Sequence, residues 1–327
     1  MSSTLLSVLP GEIMPVANVM PALAREWDST GASPEMAVRA SQMNLVLHLG
    51  ADVDEEDAKA QCEVALQLAQ RHPCRIIILC PDPSPSATTP LEGKLHIGCF
   101  VEESREHRCC EMLALGYPVQ GNTRILENQL SVWLESDLPT YHWFHRVGAD
   151  TIARQWVRLV KDCRRVLYDS SICQGDFSTI PWARPYAARD LAVARLLPVR
   201  QALGQFLSAY PPKLLVENLR SVKIEHSKAR CGEATGLLAW MKSCFVRCAE
   251  ISSLPLNADF NDATVETTEI CLTVDCDYTS GNLFHWEHSS QNSEAIIRAK
   301  FNGSDYTHHL RVHFLNPAQA LAEALFA

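Results

Sequence analysis

Glycine is scarce in this chain and never closely spaced. Only 14 of the 327 residues are glycine, and no Gly-x-Gly occurs. A dinucleotide fingerprint needs closely spaced glycines so that backbone can approach a pyrophosphate. Walker-type loops, Gly-x-Ser-x-Gly elbows and His-Glu-x-x-His pairs are also missing, which argues against the nucleotide, acyl-transfer and zinc chemistries those motifs serve. The thirteen cysteines include no Cys-x-x-Cys, so zinc and thioredoxin-like sites have weak support. Runs of about 18 apolar residues are absent, and no helix is expected to span a membrane. Residues 1–12 place no Lys or Arg ahead of their short apolar run, unlike a secretory signal, and a cytoplasmic protein is expected.

What is present is ordinary globular composition: 47% hydrophobic, 20% charged, net charge −9. The negative balance disfavours nucleic acid and anionic lipid as partners. The length suits two domains, and a chain of this size hides roughly three quarters of its unfolded surface without help from metal or disulfide. In a reducing compartment the cysteines are expected to act mainly as small buried hydrophobes.

The pattern along the chain has two parts. Residues 1–36 read as a lead-in with a helix near Val19–Trp27, pinned by Leu23 and Trp27. Met43–Leu49 is a continuous apolar strand. Asp54 then caps a helix whose first turn is Glu55-Glu56-Asp57, where the dipole favours anions. Pro73 ends it, and Arg75–Cys80 is the next strand. This βαβ unit implies a parallel sheet covered on both faces. An antiparallel pair is expected from Leu95–Val101 and Cys109–Tyr117. A helix Gly121–Glu135, a strand Pro139–His145, a helix Thr151–Lys161 and a strand Arg165–Asp169 follow. The fold class is therefore α/β, a doubly wound, largely parallel sheet over residues 37–172.

Residues 172–188, with Gly175, Pro181 and Pro185, read as the domain boundary. Asp190–Ala209 is a helix kinked at Pro198. Residues 173–327 read as an α+β domain. Its elements are a strand Val222–His226, a helix Glu233–Ala249 and four serial strands, Glu269–Cys276, Asn282–His288, Ala295–Phe301 and Thr307–Phe314. Asn302-Gly303 is a strong hairpin signal, and Pro317–Leu325 is a closing helix.

Three groups of residues are candidates for function. Tyr141, Trp143 and His145 alternate with His142, Phe144 and Arg146 on the aromatic strand. That strand is either core or, where its end is exposed, a partner interface through Tyr141, Trp143, Phe144 and Arg146. Cys109 and Cys110 point to opposite faces of a strand, so one can be core and the other a reactive thiol. His309, Arg311 and His313 share a strand face, either solvated or an anion site. A guanidinium between two imidazoles argues against a metal there. Cys244 and Cys248 lie on the apolar helix stripe with Leu237 and Met241 and read as core thiols.

Several spaced segments carry a resemblance. These are Leu9-Pro-Gly-Glu12, Ser41-Gln-Met-Asn-Leu-Val-Leu47, Ala69-Gln-Arg-His-Pro-Cys-Arg75 with Ile76–Leu79 and Pro81-Asp82, and Cys110-Glu-Met-Leu-Ala-Leu115. Asp137-Leu-Pro-Thr-Tyr-His-Trp-Phe144, Val166-Leu-Tyr-Asp-Ser-Ser171, Asp190–Leu196 with Pro198 and Arg200, and Ala234–Ser243 continue the series. As a set covering about residues 5–245, they resemble the glucose-6-phosphate dehydrogenase assembly protein OpcA family. Trp143-Phe144 departs from the Trp pair expected in that family. The resemblance implies a non-catalytic partner that promotes the active oligomer of glucose-6-phosphate dehydrogenase in the pentose phosphate pathway. It implies no cofactor, and in cyanobacteria it implies a link to thiol redox control. No family active site transfers to particular residues. The alternative is an enzyme or sensor that binds a sugar phosphate or similar anion.

Overall fold

The computed structural model describes residues 4–30, 37–39, 41–83, 91–101, 107–119, 123–173, 175–266, 270–289 and 292–327. They form two compact units, Met1–Leu191 with Pro317–Ala327, and Ala192–Asn316.

The first unit is built on nine strands: β1 Glu12–Pro15, β2 Ala37–Arg39, β3 Met43–Leu49, β4 Cys74–Asp82, β5 Glu92–Val101, β6 His107–Pro118, β7 Thr140–His145, β8 Arg165–Tyr168 and β9 Ala188–Asp190. Their order is β1-β5-β6-β4-β3-β7-β8-β9, with β2 also paired to β6. From β6 to β9 every pairing is parallel. The expected antiparallel pair is β5 with β6. All seven residues of β3 are buried, as a central parallel strand covered on both faces requires. Asp54 caps the helix Glu55–Arg71 through the Asp57 N–H.

The lead-in helix is longer than its apolar spacing suggested, Val16–Thr30. It buries Val19 and Leu23 in the first core. Its Trp27 indole donates to Glu111 at 2.6 Å. Glu111 also accepts from Arg75 at 2.5 Å, and both charges are almost fully buried. Arg75 donates further to the Trp133 carbonyl and pairs with Glu135. An ion pair this deep must satisfy nearly all its hydrogen bonds to be tolerated.

Chain division and sequence pattern part company at three places. Residue 172, expected as the end of the first domain, lies between β8 and β9, which pair with each other. The closing helix Pro317–Phe326 returns to the first unit. There it buries Leu321, and Arg165 donates to the Ala327 carbonyl at 2.5 Å. The expected helix 151–161 is helical only to Trp156 and is π-helical over Ile152–Trp156.

The second unit is a six-stranded sheet ordered β11-β10-β12-β13-β14-β15. The strands are β10 Leu219–His226, β11 Asp259–Thr264, β12 Ile270–Tyr278, β13 Leu283–Ser289, β14 Glu294–Phe301 and β15 Ser304–Arg311. All neighbours are antiparallel except β10 with β11. The strong alternation of burial along β13 and β14 is the signature of a sheet with one covered face. That face packs Val274, Trp286 and Ile297 with Leu237, Met241 and Phe245 of the helix Cys231–Ser252. Asn302 and Gly303 both have positive φ, 51° and 78°, the backbone a two-residue hairpin turn demands. Pro198 does interrupt the preceding helix, which splits into Leu191–Arg195 and Leu197–Leu207.

Candidate functional site

The carboxyl ends of β3, β4 and β7 surround a cavity of about 500 Å³. The chain leaves β3 for β4 on one side, and β7 fills the other side. Such a reversal of strand order is where open α/β sheets hold ligands. Gly50 follows β3, and a Cβ on it would lie only 2.0 Å from the Arg146 carbonyl oxygen. Only glycine permits that approach. Arg146 itself directly follows β7 with a φ of 53°, a left-handed conformation that costs a non-glycine residue of order 1 kcal/mol or more.

Two histidine clusters stand at this end of the sheet. His145 Nε2 lies 2.9 Å from both Asp57 carboxylate oxygens, and Arg146 Nε donates to Asp57 at 2.6 Å. Burial alone would raise the Asp57 carboxyl. Hydrogen bonds from His145, Gln61 and Arg146 outweigh it and hold the group below its usual range. Burial keeps His145 below the ordinary imidazole range despite Asp57.

Deeper in, His48 Nε2 lies 2.9 Å from His142 Nδ1. His48 packs at a tilt against Phe144 and meets the edge of Trp156, with centroids 4.2 and 4.8 Å away. Burial, and then the neighbouring His142, push His48 well below the usual imidazole range, and burial lowers His142 to about 3. Both rings are therefore neutral at physiological pH. His48 Nδ1 is buried and has no hydrogen-bond partner, while its residue lines the cavity. The cavity wall thus includes the neutral His48 ring, a half-exposed guanidinium and Asp52. The acidic first turn Glu55-Glu56-Asp57 does not make a phosphate cradle.

The aromatic strand is core. Tyr141, Trp143 and Phe144 are 7%, 2% and 0% exposed. As a partner interface they are corrected by the parallel sheet, which covers both of their faces. Arg146 is the exposed member. Cys109 and Cys110 are both buried, so the expected exposed, reactive thiol is not found. Cys109 is disulfide-bonded, and burial pushes Cys110 up to about 11. Cys244 and Cys248 are half-buried and line an apolar cavity of about 330 Å³ with Trp240 and Phe245.

The His–Arg–His group does not converge. His309 and Arg311 lie exposed on the edge strand β15, opposite Ile296 and Glu294. The regular strand ends at Arg311, and His313 beyond it lines a separate cavity of about 380 Å³ with Arg230 and His288. No sequence spacing joins Arg230, His288 and His313, because only the sheet's register brings them to one end. Among the described residues no group of three or more His, Cys, Asp or Glu is placed to hold a metal ion.

Residues 65–181 match the model of the glucose-6-phosphate dehydrogenase subunit N-terminal domain, of the OpcA assembly family. A Synechocystis sp. protein provisionally named OxPP cycle protein OpcA is 24% identical over 190 residues. That match covers 55% of this chain and 38% of the relative's length. The OpcA segment includes β4 to β8, and with them His142, Arg146 and Trp156. His48, Gly50 and Asp57 precede it, and the second unit lies wholly outside it. Two solved structures show a distant likeness to the whole chain. Gal80p of Kluyveromyces lactis aligns over 94% of this chain and 84% of its own, at 9% identity and a TM-score of 0.40. Glucose-6-phosphate 1-dehydrogenase of Mycobacterium avium aligns over 87% and 86%, at 8% identity and the same score. A score this low carries no functional argument.

Proposed function

We propose that this chain is a non-catalytic assembly factor and activator of glucose-6-phosphate dehydrogenase, acting in the bacterial cytoplasm in the oxidative pentose phosphate pathway. The OpcA match over residues 65–181 carries the reading. The relative named for the OxPP cycle supports it. The switch-point cavity agrees with it, since acidic residues occupy the helix start where a nucleotide-dependent enzyme would bind phosphate. Among the described residues no helix is long and apolar enough to cross a membrane.

An activator works by binding one oligomeric state of its enzyme more tightly than another. A tenfold bias needs only about 1.4 kcal/mol. Of the aromatic-strand residues, Arg146 is the one left accessible to such a partner. Mixing the purified chain with the dehydrogenase of the same cell is expected to raise its activity or shift its elution on a sizing column. No change in either, in reduced and in oxidised samples, rejects the proposal.

A second reading rests on His48 and the half-exposed Arg146 lining the cavity. A sugar phosphate or similar anion would engage the Arg146 guanidinium. Calorimetric titration with glucose 6-phosphate tests it, and heat that survives Arg146→Gln unchanged counts against it.

A further inference from the structure

The second unit, outside the OpcA segment, contains a cysteine paired with a histidine inside a cavity. Strand β12 shifts register between Ile270 and Leu272, whose partners on β13 are Ser289 and His288. Cys271 is the extra residue. A bulge of this kind re-aims a side chain and is common beside active sites. Here it brings Cys271 Sγ to 2.9 Å from His288 Nδ1. His288 Nε2 lies 2.8 Å from the Val312 carbonyl oxygen. That carbonyl can only accept, so Nε2 carries the ring proton and Nδ1 is left to accept the thiol proton. The Val312 N–H in turn donates to the Ser293 carbonyl at 3.0 Å, which fixes the orienting strand end. Nucleophile, base and orienting group are all in place.

The walls of the cavity choose its ligand. Cys271, His288, Arg230 and His313 line the same space of about 380 Å³, with Ser227 and Ser289 as neutral donors. Arg230 lies 4.3 Å over the Phe314 ring and pairs with the buried Glu233 at 2.8 Å. Glu233 Oε1 also accepts from Arg195 at 2.9 Å, so the carboxylate that pairs with Arg230 is shared between two guanidiniums. Arg230 and Glu233 face Cys271, and Arg230 and His313 face His288.

We propose that Cys271, with His288 as its base, is a nucleophilic thiol that reacts with small carboxylate-bearing electrophiles drawn into this cavity by Arg230. Burial pushes the Cys271 thiol up to about 11 and lowers His288, so the pair rests as thiol and neutral imidazole. The proton then moves as the bond forms. With iodoacetate the Sγ–CH₂ bond forms while carbon–iodine breaks, and iodide departs with its electron pair. The thiol proton passes to His288 Nδ1, and the imidazolium returns it to water.

The test is to treat the full folded chain separately with iodoacetate and iodoacetamide and to follow Cys271 by peptide mapping, with N-acetylcysteine as reference. The iodoacetate-to-iodoacetamide rate ratio at Cys271 is expected to exceed the reference ratio by about tenfold, the effect of one favourable charge contact of about 1.4 kcal/mol. Arg230→Gln should bring it back to the reference. His288→Gln should slow both reagents by about 100-fold, the usual contribution of a positioned base. Should that variant fail to fold, the pH profile of the unaltered chain decides. A base-assisted thiol levels off above the His288 titration, whereas an unassisted one keeps climbing tenfold per pH unit from 6 to 9. Continued climbing, a reference-like ratio, or an unlabelled Cys271 in the folded chain overturns the proposal.

Discussion

The first sheet carries a charged pair at its centre, while the second carries its charge on an open face. Arg75 and Glu111 sit in adjacent parallel strands with 2% and 0% of their side chains exposed. In the second sheet Lys223, Asp275, His285 and Arg298 stand in one cross-strand row, all partly open to solvent. The difference follows from topology. Parallel strands need crossover connections that cover both faces, so any charge inside must be paired within the protein. An antiparallel sheet can leave one face wet, where water and salt screen each pair to little net value.

The sharpest way to break the contrast is to remove one member of the buried pair. Glu111→Leu leaves Arg75 and the Trp27 indole short of a partner, and urea unfolding should show a loss of about 3–5 kcal/mol. Arg75→Met together with Glu111→Leu should recover most of it, because no unpaired charge then remains at that position. A loss from the double variant as large as that from the single one would mean the pair itself is strongly stabilising. The returning helix comes next. Leu321 is fully buried, and Leu321→Ala should cost about 3 kcal/mol. Hydrogen exchange should quicken in the helix Glu55–Arg71 and in β8, which the closing helix touches, and not in β12 to β14.

Titration separates the two sheets in opposite directions. His48 and His142 are held below the ordinary imidazole range by burial. Their contribution is complete above about pH 6.5 and is lost as pH falls below it. His48→Phe with His142→Leu should flatten that slope in urea titrations between about pH 6.5 and 5. His285 behaves oppositely. Its hydrogen bond to Asp275 raises it, so its contribution is present below the ordinary range and fades as pH rises through the raised value. His285→Asn should lower the melting temperature more at pH 5.5 than at pH 9. The partly exposed group limits the effect to a few tenths of a kcal/mol. Equal deficits at both pH values would show that Asp275 does not stabilise the charged ring.

Much of the first unit was legible because local signals agree there. Met43–Leu49 is a strand because its apolar run is continuous, and Asp54 with three acids fixes the start of the next helix. The serial strands of the second unit were legible from alternation and from Asn302-Gly303. Strands β1, β2, β9 and β11 were not: each is short or polar and exists by pairing with a neighbour. The candidate sites were harder to see. His309, Arg311 and His313 share a strand-like pattern, but the strand stops before His313 and the three separate. The aromatic strand was rightly a strand, while its exposure depended on what covers it.

What the sequence determined alone is the type of most elements, the lack of phosphate-binding loops, and the run of segments that resembles OpcA. These depend on spacing within a few residues, where period and capping act. The tertiary structure decided which distant residues meet. His48 and His142 are joined across parallel strands, Cys271 and His288 across a bulge, and the last helix with the first unit. Register and chain return are set by the packing of whole faces, and no local spacing encodes them.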